Sequence, residues 1–464
     1  VTPAARLASA ASVLDSIAQG RAPAETVIKA WGAANRYAGS KDRRAVAERV
    51  YLVLRSRGRL VKAMGGREDG RALVIGSLAF LDALSLEEIE ALHSGDGYGP
   101  RPLSKQERAR IEAGEGETTA VAGLPAFVIE DMQTTYGERW TEEAEALLAR
   151  APVDLRVNTA RTTVKAAMGE LREAGLSPAP TRLSARCLRL AAEPAPNVAG
   201  LEAFAAGRVE IQDEGSQVVT WLAAAGLTFG ADSLVVDYCA GGGGKTLALA
   251  SLALPVASTG PTQAVGWSPV GGAEAPARLP KAPGSALHLV ACDVVQKRLD
   301  NIRPRLQRAG LDADLRLLGQ NGGGVEEFNG KADLVFVDAP CTGSGAWRRR
   351  PEDAWRLKAD EVEKLHALQL RILSQAAQLV KPGGRLAYVT CSILSRENEA
   401  TVDAFEAAAA GFRPVAIADL TATETLTEAA RTTLAAKAEG ARLRLSPAST
   451  GTDGFFLAVY ERQA

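Results

Sequence analysis

Residues 233–252 read SLVVDYCAGGGGKTLALASL, and the fold turns on them. A Val-rich apolar run ends at Asp237, glycines fill 241–244, and Lys245 opens an Ala- and Leu-rich stretch of helical character. Strand, glycine turn and helix in immediate succession are the repeating unit of a parallel α/β sheet. Glycines let the backbone pass close beneath a ligand, and the N-terminus of the following helix offers unpaired N–H groups. The spacing matches neither the GxxxxGK[ST] of a nucleoside-triphosphate loop nor the GxGxxG of a dinucleotide site. Taken alone, such a turn also suits a plain strand-to-helix connection.

Three more buried-type strands follow toward the C-terminus: ALHLVACD, ADLVFVDAP and GRLAYVTCS. Helical stretches such as DEVEKLHALQLRILSQAAQLV separate them, and FFLAVYER reads as a last strand. The alternation predicts a doubly wound, largely parallel sheet of the Rossmann-like α/β class. The second strand ends in Asp293, and a carboxylate at that tip can bind the two hydroxyls of a ribose. Glycine loop and acidic tip together point to an adenosyl cofactor at the carboxyl edge of the sheet. The third strand runs into DAPCTGSG (338–345), so Asp338 and Cys341 should project into the same crevice, on a loop stiffened by Pro340. The fourth, launched by Lys381-Pro-Gly-Gly384, ends in Thr390-Cys391-Ser392. A lone cysteine is most often a small buried hydrophobe. Two at neighbouring strand ends, among polar residues and glycines, read instead as a thiol pair facing one cleft.

Upstream of 206 the pattern differs. Residues 1 to about 135 read as helices: Ala4, Leu7, Ala8, Ala11, Val13, Leu14 and Ile17 recur at helical spacing, as do Val46, Val50, Val53 and Leu54 in DRRAVAERVYLVLRSR. Others run through RALVIGSLAFLDAL and LPAFVIEDMQTTYG, with breaks such as GDGYGPRPLS between them. Basic residues gather at Lys41, Arg43, Arg44, Arg55, Arg57, Arg59 and Lys62, either a solvated face or a nucleic-acid contact. From about 152 to 205, a strand (DLRVNT), a helix (TVKAAMGELREAG) and a second strand (RCLRLA) predict a small α+β module. The Pro-, Gly-, Ala- and Ser-rich stretch at about 255–285 is expected to be a flexible insertion.

The 464 residues call for two or three domains, and a net charge of -1 means that nucleic-acid binding would need local basic patches. Five scattered cysteines, no Cys-x-x-Cys and three histidines argue against a zinc site or a disulfide framework. Free thiols suit a reducing cytoplasm. The first residues lack an apolar core behind a basic start, so no secretory signal is expected, and Val1 in place of Met reads as a trimmed terminus. No apolar run is long enough to span a bilayer.

The motifs resemble those of the RNA 5-methylcytosine methyltransferase family, which includes bacterial small-subunit rRNA cytosine-C5 methyltransferases and the NOL1/NOP2/Sun proteins. The matching stretches are IQDEGSQ (211–217), DYCAGGGGKT, CDVVQKRL, DAPCTGSGAWRRRPE, KPGGRLAYVTCS with the following ENE (397–399), and TDGFF (452–456). SKDRRAVAERVYLVLR is similar to the NusB-like helical domain of the bacterial rRNA branch. The resemblance implies a NusB-like RNA-binding domain over 1–138, the α+β module over 145–205, and an S-adenosylmethionine-dependent methyltransferase domain over 206–464. It implies Cys391 as the nucleophile, Cys341 as the thiol of product release and Asp338 as a contact to the target cytosine and the cofactor. Cys239, Ala240, Gly241, Gly242, Gly243, Gly244, Lys245 and Asp293 would hold S-adenosylmethionine, with Arg298 from CDVVQKRL and Gln320 or Asn321 as further polar contacts. The residues Arg348, Arg349 and Arg350, with Trp347 and Trp355 nearby, read by themselves either as a solvated charge run beside core aromatics or as a surface that binds RNA phosphates and stacks on bases. The family often has Ala-Pro-Gly-Gly where this chain has Ala240-Gly-Gly-Gly-Gly244, and Thr342 stands where Ser is more usual.

Such a set suits the chemistry. Carbon 5 of cytosine is too poor a nucleophile to take a methyl group until a thiolate adds to carbon 6. The expected partner is RNA, most simply small-subunit rRNA, with the protein a cytoplasmic monomer using neither metal nor membrane. A DNA cytosine-C5 methyltransferase would attack from Pro340-Cys341 and have no need of Cys391, and a non-catalytic RNA-binding assembly factor would keep the fold alone.

Overall fold

The computed structural model describes residues 1–116, 121, 123–191, 196–230, 232–252 and 287–464; the insertion expected at about 255–285 lies outside the described residues. The chain divides into two compact units, one of residues 1–150 with 346–359, the other of residues 151–345 with 360–464.

The first unit is helical. The helices Pro3–Gln19, Ser40–Arg55 and Gly70–Phe80 bury Leu7, Val13, Leu14, Ile17, Val46, Val50, Val53, Leu54, Leu73 and Ile75 in one core. Ser85 with Glu88 and Ser104 with Glu107 form reciprocal capping boxes that satisfy the first N–H groups of two short helices. Nothing in the sequence marked 346–359 as part of this unit, but side chains fasten it there. Glu352 accepts from the Ala24 N–H at 2.7 Å, Arg356 donates to the carbonyls of Ala22 and Ile17, and the Arg57 guanidinium lies 4.2 Å from the centre of the Trp355 ring.

The second unit joins the small module to the large sheet. Strands β1 (Val153–Val157), β2 (Ala179–Pro180), β3 (Cys187–Leu190) and β4 (Val209–Ile211) form an antiparallel sheet in the order β2-β3-β1-β4. The helix Val164–Glu173 covers it with Ala167 and Leu171 against Leu155, Val157 and Leu188.

The large sheet holds β5 (Ser233–Asp237), β6 (Leu287–Asp293), β7 (Asp314–Leu317), β8 (Ala332–Asp338), β9 (Val380–Thr390), β10 (Phe412–Pro414), β11 (Arg442–Leu445) and β12 (Phe455–Arg462). Among the described residues its order is β10-β12-β9-β8-β5-β6-β7, with β11 also paired to β12. β5 to β9 run parallel; β12 is antiparallel to β9. Alternate residues serve opposite faces: Val235, Leu289, Phe336 and Val389 join one core, Val236, Val290, Val335 and Tyr388 the other. Burial on both faces is why these strands read as unbroken apolar runs. From β5 the chain steps outward to β6 and β7, then crosses back to β8 and β9 on the other side. The switch between β5 and β8 opens a crevice at the carboxyl ends of the strands. Among the described residues, no helix is long and apolar enough to cross a membrane, and no group of three His, Cys, Asp or Glu side chains is placed to hold a metal.

Candidate functional site

Asp237, Asp293, Asp338, Cys341 and Cys391 lie at or just beyond the carboxyl ends of β5, β6, β8 and β9. After β5 the glycine loop is tied to β6, where the Ala240 N–H donates to the Cys292 carbonyl at 2.8 Å and the Gly241 N–H to Asp293 Oδ2 at 3.0 Å. Gly241 and Gly243 have φ of 54° and 81°, and a Cβ on Gly243 would meet Ile302 at 2.9 Å, so the turn needs glycine there. Asp293 is 4% exposed, takes the Val295 N–H on its other oxygen at 2.8 Å, and has the Arg298 guanidinium 3.7 Å away. Cys239 packs into one core of the sheet and Ala240 into the other. Gln320 is exposed on the loop after β7, whose Leu318 N–H bonds the Asp293 carbonyl.

Asp237 is fully buried beneath the loop. Thr246 Oγ1 donates to its Oδ2 at 2.6 Å, while Oδ1 has no partner. Burial pushes its carboxyl up to about 7; the Thr246 hydroxyl pulls it down, and the negative charge of Asp338 pushes it further up. Lys245 reaches past it, and its Nζ donates to Asp338 Oδ2 at 2.8 Å and lies 5.0 Å from the centre of the Phe455 ring. Burial works against the ammonium, but Asp338 outweighs it and holds Lys245 above its ordinary value. Sequence reading placed Lys245 with the glycine loop; the fold brings its charge to Asp338.

The two thiols meet. Cys341 Sγ and Cys391 Sγ are 3.4 Å apart, and both cysteines are free and half-buried. The hydrogen bond with the Cys391 sulfur, followed by burial, pushes the Cys341 thiol well above its usual range. Beneath them lies a polar cluster that the motif reading did not resolve. Buried Glu397 accepts from Thr342 N at 2.9 Å, Thr342 Oγ1 at 2.6 Å, Ser392 Oγ at 2.5 Å and Gln369 Nε2 at 3.0 Å. Its neighbour Asn398 accepts from Thr390 Oγ1 at 2.6 Å and donates to the Ser392 carbonyl at 2.9 Å. The signal in the sequence was the ENE triplet that follows the TCS stretch.

The outlying motifs brace this centre. The Gly345 N–H donates to the Cys391 carbonyl at 2.9 Å and the Gly454 N–H to the Gly345 carbonyl at 2.8 Å, so TDGFF props the DAPCTGSG loop. Asp213 of IQDEGSQ accepts from the Asp453 N–H at 3.1 Å.

Arg348, Arg349 and Arg350 fall in the segment that belongs to the helical unit. Trp347 is fully buried and Trp355 packs against the helical core, so of the two readings the structure favours core aromatics over free stacking faces. Arg348 is only 5% exposed and so does not offer an open cation, whereas Arg350 stays exposed, 3.8 Å from Asp353.

A family model described as 16S rRNA methyltransferase RsmB/F matches residues 280–461, and one for the ferredoxin-like domain of RsmF/B-like methyltransferases matches residues 124–196. The chain is 32% identical over 285 residues to ribosomal RNA small subunit methyltransferase B of Vibrio cholerae, covering 61% of this chain and 57% of that protein. It is 30% identical over 350 residues to the Xanthomonas campestris protein of the same name, covering 72% of this chain and 70% of that one. The crystal structure of PH0851 matches with a TM-score of 0.69 at 22% identity, over 100% of this chain and 99% of that one. NSun6 from Pyrococcus horikoshii with SFG matches with a TM-score of 0.55 at 17% identity, over 73% of this chain and 98% of that one. The match thus spans less than two thirds of the Vibrio relative, and the two structures share the fold. The chain belongs to the RsmB/F family of 16S rRNA methyltransferases.

Proposed function

We propose that this protein methylates carbon 5 of a cytosine in small-subunit rRNA through a covalent adduct on Cys391. The observation that carries the reading is the meeting of two free thiols, 3.4 Å apart, beside an Asp338–Lys245 ion pair. Cys391 is the nucleophile: its thiolate adds to carbon 6, and the electron pair moves toward carbon 5. Asp338 accepts from the exocyclic amine, while Lys245 holds that carboxylate in place and offsets negative charge near the ring. When bound, S-adenosylmethionine supplies the methyl group. A water molecule then takes the carbon-5 proton, the electrons of that C–H bond restore the carbon 5–carbon 6 double bond, and the Cys391–carbon 6 bond breaks with its electron pair going back to sulfur. Cys341, kept as a neutral thiol, assists this expulsion.

The residues present fit the cofactor. Gly241 and Gly243 hold positive φ in a turn that approaches the strand ends closely. Asp293, although it already accepts two N–H groups, has lone pairs left for ribose hydroxyls. Val294 and Leu317, 44% and 49% exposed at the ends of adjoining strands, offer apolar surface to an adenine. A cytosine in folded RNA would have to leave its stack to reach Cys391. The helical unit, read here as NusB-like, would add RNA contacts, with the exposed Arg350 among them.

The test is transfer of radiolabelled methyl from S-adenosylmethionine to unmodified rRNA, with nucleoside analysis, beside the same assay on DNA. Label in 5-methylcytosine of rRNA supports the reading, and label in DNA alone overturns it. The Cys391→Ala variant should form no covalent RNA adduct, with turnover lowered by roughly 10⁴-fold or more, while Cys341→Ala should accumulate it. The reverse pattern would exchange the roles of the two thiols.

A further inference from the structure

Parallel pairing between β8 and β9 ends at Asp338 and Val389, continued only by the Ala339 N–H to the Val389 carbonyl at 2.8 Å. Cys341 lies beyond that last bond, on a loop that includes Gly343 at a φ of 69°. The strand ladder therefore does not decide how closely its sulfur approaches that of Cys391. The Gly345 N–H to the Cys391 carbonyl at 2.9 Å joins the two loops four residues past Cys341, and beside the thiols one carboxylate binds both. Glu397 is 0% exposed and binds Thr342, the residue after Cys341, through both N–H and hydroxyl, and Ser392, the residue after Cys391, through its hydroxyl. Gln369 bridges to the same place, donating both to Glu397 and to the Pro340 carbonyl at 3.0 Å. Ser344 Oγ lies 3.0 Å from Ser392 Oγ and accepts from the Ile393 N–H, which closes the ring of contacts.

We infer that Glu397 is a positioning residue, whose buried carboxylate clamps the Cys341 and Cys391 loops together and so sets the thiol approach that product release requires. The inference rests on the proposed release role of Cys341. Four donors converge on Glu397, and only an ionised carboxylate accepts them all without a hydrogen of its own. The backbone N–H of Thr342 cannot reverse, and Gln369 is held by Pro340, so Oε1 must remain an acceptor. The two hydroxyls on Oε2 can turn, so glutamine should keep part of the clamp, whereas alanine leaves buried donors without a partner.

The test measures thiol approach without RNA. Diamide takes up two electrons and two protons from a pair of thiols as the sulfur–sulfur bond forms, and its rate of linking Cys341 to Cys391 reads their proximity. The wild-type full chain should form this disulfide readily, Glu397→Ala at least 10-fold more slowly, and Glu397→Gln in between. With RNA and cofactor, Glu397→Ala should also accumulate covalent adduct, as Cys341→Ala does, at unchanged cofactor affinity. A disulfide rate within twofold of wild type in a folded Glu397→Ala, or no such disulfide in the wild type, overturns the clamp. Should Glu397→Ala fail to fold, Glu397→Gln keeps the side-chain volume while its amide replaces one acceptor oxygen; a disulfide rate there within twofold of wild type also overturns it. A slowed disulfide without adduct accumulation, where Cys341→Ala does accumulate adduct, overturns the part of the clamp in release; no accumulation in Cys341→Ala itself would overturn the release role of Cys341.

Discussion

Lys245 Nζ donates to Asp338 Oδ2 at 2.8 Å, across the crevice between the strand that begins the sheet and the strand that follows the chain reversal. The side chains of these residues are 12% and 28% exposed, so the pair is screened little by water and Asp338 depends on Lys245 for its counter-charge. Lys245→Met should slow adduct formation by on the order of 10²–10³-fold, the usual effect of losing one preorganised charge or donor at a reacting centre. If Lys245 instead served mainly the cofactor, the variant would weaken S-adenosylmethionine binding and leave the adduct rate at saturating cofactor intact. Single-turnover trapping together with a cofactor titration separates the two.

Asp237 links this centre to pH. Its folded carboxyl titrates at about 7, against an ordinary value of 3.8, because it is buried. Between those values the folded protein holds a proton that the unfolded chain has released. Its contribution to stability is therefore fully present below about pH 4 and is lost as pH rises through about 7. The cofactor-free wild type should lose melting temperature between pH 5 and pH 8 relative to Asp237→Asn, by an amount equivalent to a few kcal/mol at most. Parallel melting curves for the two proteins across that range would refute the assignment.

Gly345 has no room for a side chain. A Cβ there would lie 2.2 Å from the Gly454 carbonyl oxygen, on the turn that props the loop bearing Cys341. Gly345→Ala must push the turn away, at a cost of about 1–3 kcal/mol, and should reduce turnover more than stability. Thermal unfolding and methyl transfer measured on the same preparation check this; wild-type turnover would show that the prop is dispensable.

Glu214 holds the small sheet against the start of the helix Glu214–Ala224. It accepts from the N–H groups of Leu183 and Ser184 at 2.6 and 2.9 Å, and its own N–H donates to Asp154, which also pairs with Arg189 at 2.7 Å. Glu214→Ala leaves two buried N–H groups without an acceptor and should destabilise the second unit by about 2–5 kcal/mol. Urea unfolding gives the value directly, and a change below 0.5 kcal/mol would mean that other acceptors replace the carboxylate.

The order of strand, glycine loop and helix from 233 to 252, the acidic tip at Asp293 and the cysteines at the ends of ADLVFVDAP and GRLAYV were all legible in the chain. They are local: a strand buried on both faces must be continuously apolar, and a turn that needs positive φ must carry glycine. Helical spacing likewise marked Val46, Val50, Val53 and Leu54, which the structure buries together. What distance along the chain concealed was left to the tertiary structure. Residues 346–359 sit with the helical unit because Glu352 and Arg356 find backbone partners there, and no periodicity announces such a partner. Lys245 reads as part of a glycine loop until the parallel pairing of β5 with β8 brings Asp338 within reach. The 3.4 Å approach of Cys341 to Cys391, and the Glu397 carboxylate beneath it, arise where loops 50 residues or more apart converge. Spacing in the sequence names the reactive groups; only the packing of the loops that carry them decides which groups touch.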